Sequence, residues 1–410
     1  MQLTPEDKLI LSCIKIHPTT TELEQLNSFI PFIPDWKVLT NNLIDRGIGP
    51  LLFNKLPQLP NSPLIPAIQR TKLQQTYYKT FSRSSILYEY FRKVIEAFAA
   101  GNINVIALKG IYLSEWLYQD IGLRQFSDID LLVKEEDAGT CLAILSSLGF
   151  KPHDSSVTEF IGSKSEIIHY APMVMEGVSI EIHIKLHRHS EIYHINIEEF
   201  WRNARPVNIN NTSILALCDK DLLIHLCVHL DKHFRGGHVQ FTCFNDITNL
   251  LEKIADTINW DDFIATCRIH QCEDTVLMYI ILVNKYINAT VPEHIIDNYS
   301  YLLTEEDEIL FIKYLNGHIG TFSAVPVHLG NLKNLTSLSD KLWYLLDLVF
   351  PPKAFMIQKY GLVSSRQSVV GSEQNYKLQT TNWKLKLWWF YYPYRWWVGA
   401  KGLLKLIIKN

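Results

Sequence analysis

The stretch LRQFSDIDLLV, residues 123–133, sets two acids one residue apart, Asp128 and Asp130, in a run that otherwise reads as a buried strand. Side chains alternate between faces along a strand, so both carboxylates share one face while Ile129, Leu131 and Val133 serve the other. Two carboxylates side by side in a partly buried place either share a proton or hold a cation. A lone D-x-D would also fit a solvated strand end or a cap on the next helix, so the neighbouring sequence has to decide. Upstream, INVIALKG (103–110) is a short β-rich run that breaks at Lys109-Gly110 and gives way to a helix over 111–119. Glycine at that break lets a bound group approach the backbone, and the first N–H groups of the helix would face an anion. Downstream, VSIEIHI (178–184) places Glu181 and His183 on one face of a further strand. The parts amount to a phosphate cradle and three carboxylates.

Composition bounds what surrounds this unit. A chain of 410 residues, 47% hydrophobic and 20% charged, can bury a large core and form two or three structural units. The net charge of −3 argues against a protein that coats nucleic acid, but it hides an asymmetry. No acid follows Glu373, while seven of the 39 basic residues do, so the body has 32 basic against 42 acidic residues. Seven cysteines without a C-x-x-C pair read as buried hydrophobes in a reducing compartment. The first 18 residues lack the basic flank of a signal peptide, and no run of 18 apolar residues predicts a spanning helix. The expected location is cytoplasmic, or peripheral at the inner face of the membrane.

Periodicity divides the chain into four parts. Residues 1–98 read as helical: TPEDKLILSCIKI opens with a Thr cap and Pro at the first helical position, and LQQTYYKTFSRSSILYEYFRKVIEAFAA stops at Gly101. Residues 99–200 form an α/β unit, with a helix over EEDAGTCLAILSSLGF and strands EIIHYAPMV and VSIEIHIKL joined by a turn at Glu176-Gly177. Helical spacing returns over 201–352 and ends at Pro351-Pro352. The tail, 353–410, holds five of the ten tryptophans.

The order strand, glycine turn, helix, D-x-D strand, helix, Glu strand resembles the polymerase-β-like nucleotidyltransferase superfold. More narrowly, the 45-residue block from Ile106 to Phe150, followed by SIEIHIKL and LLIHLCVHLDKH…FNDITNLL, is similar to uncharacterised bacterial nucleotidyltransferases whose core reads LKG…R-x-x-SDIDLLV…GF…E-x-H. The likeness spans roughly residues 30 to 280. It implies an α+β fold, with a small mixed-sheet nucleotidyltransferase core flanked by N-terminal and C-terminal helical domains. It implies that Asp128, Asp130 and Glu181 hold Mg²⁺, as a pair of ions if two bind, with Glu181 beside the attacking group. Two metals about 3.5–4 Å apart stabilise the entering and leaving oxygens of an in-line attack. The expected reaction moves an NMP group from an NTP to an acceptor, with a catalytically inactive nucleotide-binding or scaffold protein of the same fold as the alternative. Where the superfold has Gly followed by Gly or Ser at the phosphate turn, this chain has Lys109, Gly110 and Ile111. Lys109 or Arg124 is then expected to contact the phosphates, and Ser127 either bonds a phosphate oxygen or the local backbone.

His225, His229 and His233 recur every four residues on one helix face. Zinc binding, surface or capping roles, and a wall of the acceptor pocket are all open readings, and H-E-x-x-H is absent. The family pattern favours a pocket of His183, His229 and His233, with Asp246 as partner for one imidazole. The acceptor is not specified: an envelope sugar or lipid precursor, a peptide, a protein side chain or a tRNA end fits, the tRNA least well given the charge. WKLKLWWFYYPYRWWVGAKGLLKLIIKN (383–410) mixes aromatic and basic residues, which suits intramolecular packing, a membrane surface or nucleic acid, in that order.

Overall fold

The computed structural model describes residues 3–153, 168–187, 193–236, 239–316, 332 and 337–350. The tail and its segment 383–410 lie outside the described residues. Five helices precede the sheet: α1 (Pro5–Ser12), α2 (Thr20–Phe29), α3 (Trp36–Asp45), α4 (Gly49–Lys55) and α5 (Ala67–Ala100). Thr4 caps α1 reciprocally with Asp7, and Pro5 opens the helix, as its sequence predicts. The long α5 buries Leu73, Thr80, Ser84, Leu87, Phe91, Val94 and Phe98, a stripe at intervals of three, four and seven that follows the helical repeat. The helix packs on α3 and α4 and against the sheet that follows.

Seven strands form one mixed sheet in the spatial order β3-β4-β5-β2-β1-β7-β6. They are β1 (Ile106–Ala107), β2 (Asp128–Leu132), β3 (Lys151–Pro152), β4 (Met173–Met175), β5 (Val178–His183), β6 (Arg205–Ile209) and β7 (Thr212–Ala216). Two helices sit among them, α6 (Lys109–Trp116) and α7 (Ala138–Ser147). β2 runs parallel to β5 and antiparallel to β1, and β1 runs parallel to β7. The expected turn at Glu176-Gly177 joins β4 to β5; both residues have positive φ, 49° and 77°, the geometry that matches strand twist in a tight hairpin. Tyr90 donates to Glu176 Oε2 at 2.6 Å, and the Arg83 guanidinium donates to the carbonyls of Ser127 and Gly177, tying α5 to the leading ends of β2 and β5.

The sheet does not end at residue 200. The β6–β7 hairpin, turning at Asn210 and Asn211 with φ of 47° and 60°, adds two strands beside β1 within the span expected to be helical. Asparagine tolerates that left-handed backbone better than most residues. α8 (Ile197–Asn203) leads into the hairpin, and beyond it follow α9 (Asp219–Gly236), α10 (Thr242–Ile254), α11 (Trp260–Ile269), α12 (Glu273–Ile287), α13 (Glu293–Tyr299), α14 (Glu305–Leu315) and α15 (Leu338–Val349). α9, α10 and α12 pack on one another. The N-terminal helices are bound to them: Asn249 on α10 accepts from Ile16 N at 2.7 Å and donates to Ile14 O at 3.0 Å, and Arg46 donates to Leu315 O at 2.7 Å.

Candidate active site

Ile129, Leu131, Ile180 and Ile182 are fully buried on one face of β2 and β5. Alternation turns Asp128, Asp130, Glu181 and His183 to the other face, and the parallel register sets Asp130 directly beside Glu181. A cavity of about 260 Å³ lies over that face, closed by α6 on one side and by α9 and α10 above. Every residue expected from the sequence to serve the site lines it: Lys109, Gly110, Arg124, Ser127, Asp128, Asp130, Glu181, His183, His229, His233 and Asp246.

Within the cavity the charges are sorted. Asp130 is 5% exposed; its Oδ1 lies 2.7 Å from His183 Nε2 and its Oδ2 lies 3.4 Å from the Lys109 ammonium. Burial pushes the Asp130 carboxyl up, but Lys109 and the His183 bond outweigh it and hold the group well below the usual carboxylate range. Burial lowers His183, which leaves a neutral imidazole to donate to that carboxylate. Glu181 shifts the other way: burial, then the charges of Asp130 and Asp128, outweigh the pull of Lys109 and Lys232 and push it up to about 7. Asp128, half-buried, is raised for the same two reasons, burial and Asp130. One carboxylate is thus neutralised by an ion pair and two are left strained by their neighbours.

Lys109 itself sits at φ 45°, a left-handed backbone unusual for a side chain with a Cβ. The chain bends there from β1 into α6, with Leu108 N bonded to Asp130 O at 3.1 Å. No side chain caps α6, so its first turn carries N–H donors at the edge of the cavity. Gly110 is required by packing: a Cβ there would lie 2.7 Å from Phe126 Cβ and 2.9 Å from an Arg124 guanidinium nitrogen. The missing side chain thus makes room for Phe126 and Arg124, while the glycine still lines the cavity.

Two expectations meet different partners. Asp246, expected beside an imidazole, accepts Arg124 Nε at 2.8 Å, Arg124 Nη2 at 2.6 Å and Tyr118 Oη at 2.9 Å. Both groups are buried, and the fork-to-fork fit of guanidinium and carboxylate prevails over a single imidazole bond. Arg124, expected on phosphate, commits two nitrogens of its fork to that pair, while Lys109 and Lys232 also line the cavity. Ser127 is exposed at the rim, with its hydroxyl 3.4 Å from Asp128 Oδ1.

The structure also adds residues. His169 bridges to His183 in the sheet, its Nδ1 3.8 Å from Glu181 Oε2. His225, first of the helical stripe, lines the cavity at 3% exposure with Nε2 lacking a hydrogen-bond partner. Asp130, Glu181 and His183 offer ligand atoms that all lie within 4.8 Å of one another. Two carboxylates and an imidazole at that spacing are a donor set that fits a divalent cation.

Comparison with known families decides the class. The model of a family described as uncharacterised nucleotidyltransferase matches residues 34–288, more than half of the 410. The chain belongs to that family. The matched span runs from just before α3 to the end of α12 and contains the whole sheet and cavity. A solved structure of an antigenic nucleotidyltransferase-like protein from Paracoccidioides brasiliensis aligns with 50% of this chain and 93% of its own, at 13% identity and a TM-score of 0.27, too shallow a likeness to carry weight. No curated protein matches. Among the described residues no helix is long and apolar enough to cross a membrane.

Proposed function

We propose that the cavity transfers an NMP group from an NTP to a hydroxyl-bearing acceptor, with a divalent cation held by Asp128, Asp130 and Glu181. The register of Asp130 beside Glu181 carries this reading, because it gathers three carboxylates on one cavity face beside a cation and a helix N-terminus. The donor's phosphates would lie between Lys109 and the first turn of α6, where charge and N–H groups both favour an anion. In the transfer, the acceptor oxygen bonds to the α-phosphorus while the bond to the bridging oxygen breaks. Pyrophosphate departs, and the hydroxyl proton passes to Glu181, the carboxylate beside the attacking group. A bound divalent cation supplies charge neutralisation of the phosphate oxygens. The acceptor would enter beside His169, His229 and His233, which line the same cavity.

A second reading, a nucleotide-binding or scaffold protein without turnover, draws on the Lys109–Asp130 pair, which neutralises one carboxylate with no metal at all. Thermal unfolding with Mg²⁺ and each of the four NTPs separates the two. A ligand at about 100 times its dissociation constant stabilises by about 2.7 kcal/mol. For a transferase, one NTP raises the midpoint only with metal, Asp128→Asn/Asp130→Asn abolishes the shift, and the identified donor's label passes to an acceptor. A shift that needs no metal and survives the double substitution supports the second reading.

A further inference from the structure

The cavity holds more nitrogen than a magnesium site uses. Mg²⁺ keeps oxygen ligands and several waters, whereas imidazole suits the first-row transition ions. Glu181 and His183 are two residues apart on β5, so the register that delivers the carboxylate delivers the imidazole with it. His183 Nε2 lies 2.7 Å from Asp130 Oδ1 and 3.7 Å from Glu181 Oε2, inside the ring of donors rather than behind it. An independent observation comes from α9. His225 is almost wholly buried in the same cavity, and its Nε2 has no hydrogen-bond partner, an arrangement that costs stability until a ligand fills it.

We propose that His183 joins the carboxylates as a direct ligand, so that the centre selects a first-row transition ion, with Mn²⁺ as its type, over Mg²⁺, and that His225 is satisfied by the ion or its water. The proposal rests on the divalent-cation reading of the site given above. Ligation through Nε2 moves the proton now shared with Asp130 to Nδ1, a tautomer exchange that releases no net proton. Transition ions bind mixed donors more tightly than Mg²⁺ in general, so the decisive quantity is how the preference changes when the imidazole is removed.

The test uses the full chain with Mn²⁺ alone as probe, without nucleotide. Pulsed electron paramagnetic resonance of Mn²⁺ bound to wild-type protein carrying ¹⁵N-labelled histidine should show coupling to an imidazole nitrogen. This arm requires no variant to fold. Calorimetric titration of His183→Gln should show Mn²⁺ affinity reduced by at least roughly 10–100-fold, the range already lost when a ligand's supporting contacts are removed, with Mg²⁺ affinity changed far less. His225→Leu should weaken Mn²⁺ binding by a smaller factor. Bound Mn²⁺ without imidazole coupling, or equal losses for both ions in His183→Gln, overturns the proposal. In either case Mg²⁺-dependent stabilisation by an NTP would survive, and the proposed function with it. Failure of both ions to bind, with or without NTP, overturns both.

Discussion

Replacing Glu181 with Gln should stabilise the metal-free protein at pH 8 and change it little at pH 5. Glu181 shares its face with Asp128 and Asp130, and burial together with those two charges raises its pKa from 4.5 to about 7. A carboxyl with a raised folded-state pKa costs nothing while both states are protonated. Its cost accumulates as pH rises from the unfolded value through the folded one, because the unfolded chain ionises first. Each pKa unit is worth about 1.36 kcal/mol, so the ionised side chain withdraws about 3 kcal/mol at pH 8 and under ~1 kcal/mol at pH 5. With an unfolding entropy of ~2.1 cal/mol/K per residue, the gain at pH 8 corresponds to a midpoint rise of about 4 °C. Denaturant and thermal unfolding of wild type and Glu181→Gln at both pH values read it directly. Saturating Mn²⁺ should reverse the order, because the ion favours the ionised carboxylate. A variant no more stable than wild type at pH 8 would refute the reasoning, since Glu181 would then not be held among like charges.

Other substitutions probe the frame around the cavity. At position 109 the left-handed backbone should make Lys109→Gly more stable than Lys109→Ala by up to about 1 kcal/mol, as read from urea midpoints; both lose the pair to Asp130, and relief of strain outweighs the greater unfolded-state freedom of glycine. Gly110→Ala drives a Cβ to 2.7 Å from Phe126 and should cost about 1–3 kcal/mol of stability, together with a loss of NTP-dependent thermal stabilisation. Asp246→Asn leaves the buried Arg124 without its counter-charge and should cost about 3–5 kcal/mol in denaturant unfolding, whereas Ser127→Ala at the exposed rim should cost under ~0.5 kcal/mol.

Much of this frame was legible because local periodicity carries it. The alternation in DIDLL and VSIEIH assigned the carboxylates to one face, the Glu176-Gly177 pair marked a hairpin, and Thr4 with Pro5 marked a helix start. The hairpin at 205–216 had a comparable signal, with Val207, Ile209, Thr212, Ile214 and Ala216 alternating around Asn-Asn, but helical segments on both sides overshadowed two five-residue strands. Pairings at long range left no periodic trace. Arg124 and Asp246 stand 122 residues apart, and no spacing rule connects a guanidinium before β2 with a carboxylate on α10. The histidine stripe on α9 was readable as a stripe. Which of its members is buried in the cavity depends on how α9 packs on α10 and α12, so the orphan nitrogen of His225 emerged only from the fold.

The parallel pairing of β2 and β5 also sets where the chain tolerates changes in length. Residues 133–177 separate the two strands and carry α7, β3 and β4; insertions or deletions confined to the turns beside α7 leave the ladder from Asp128 to Leu132 free to form as before. A single residue deleted inside β5 has a different result. Every later side chain of the strand inverts, so that Glu181 and His183 enter the apolar layer while isoleucines face the cavity. Lineages that diverge in this region should therefore vary in connector length and keep strand length fixed.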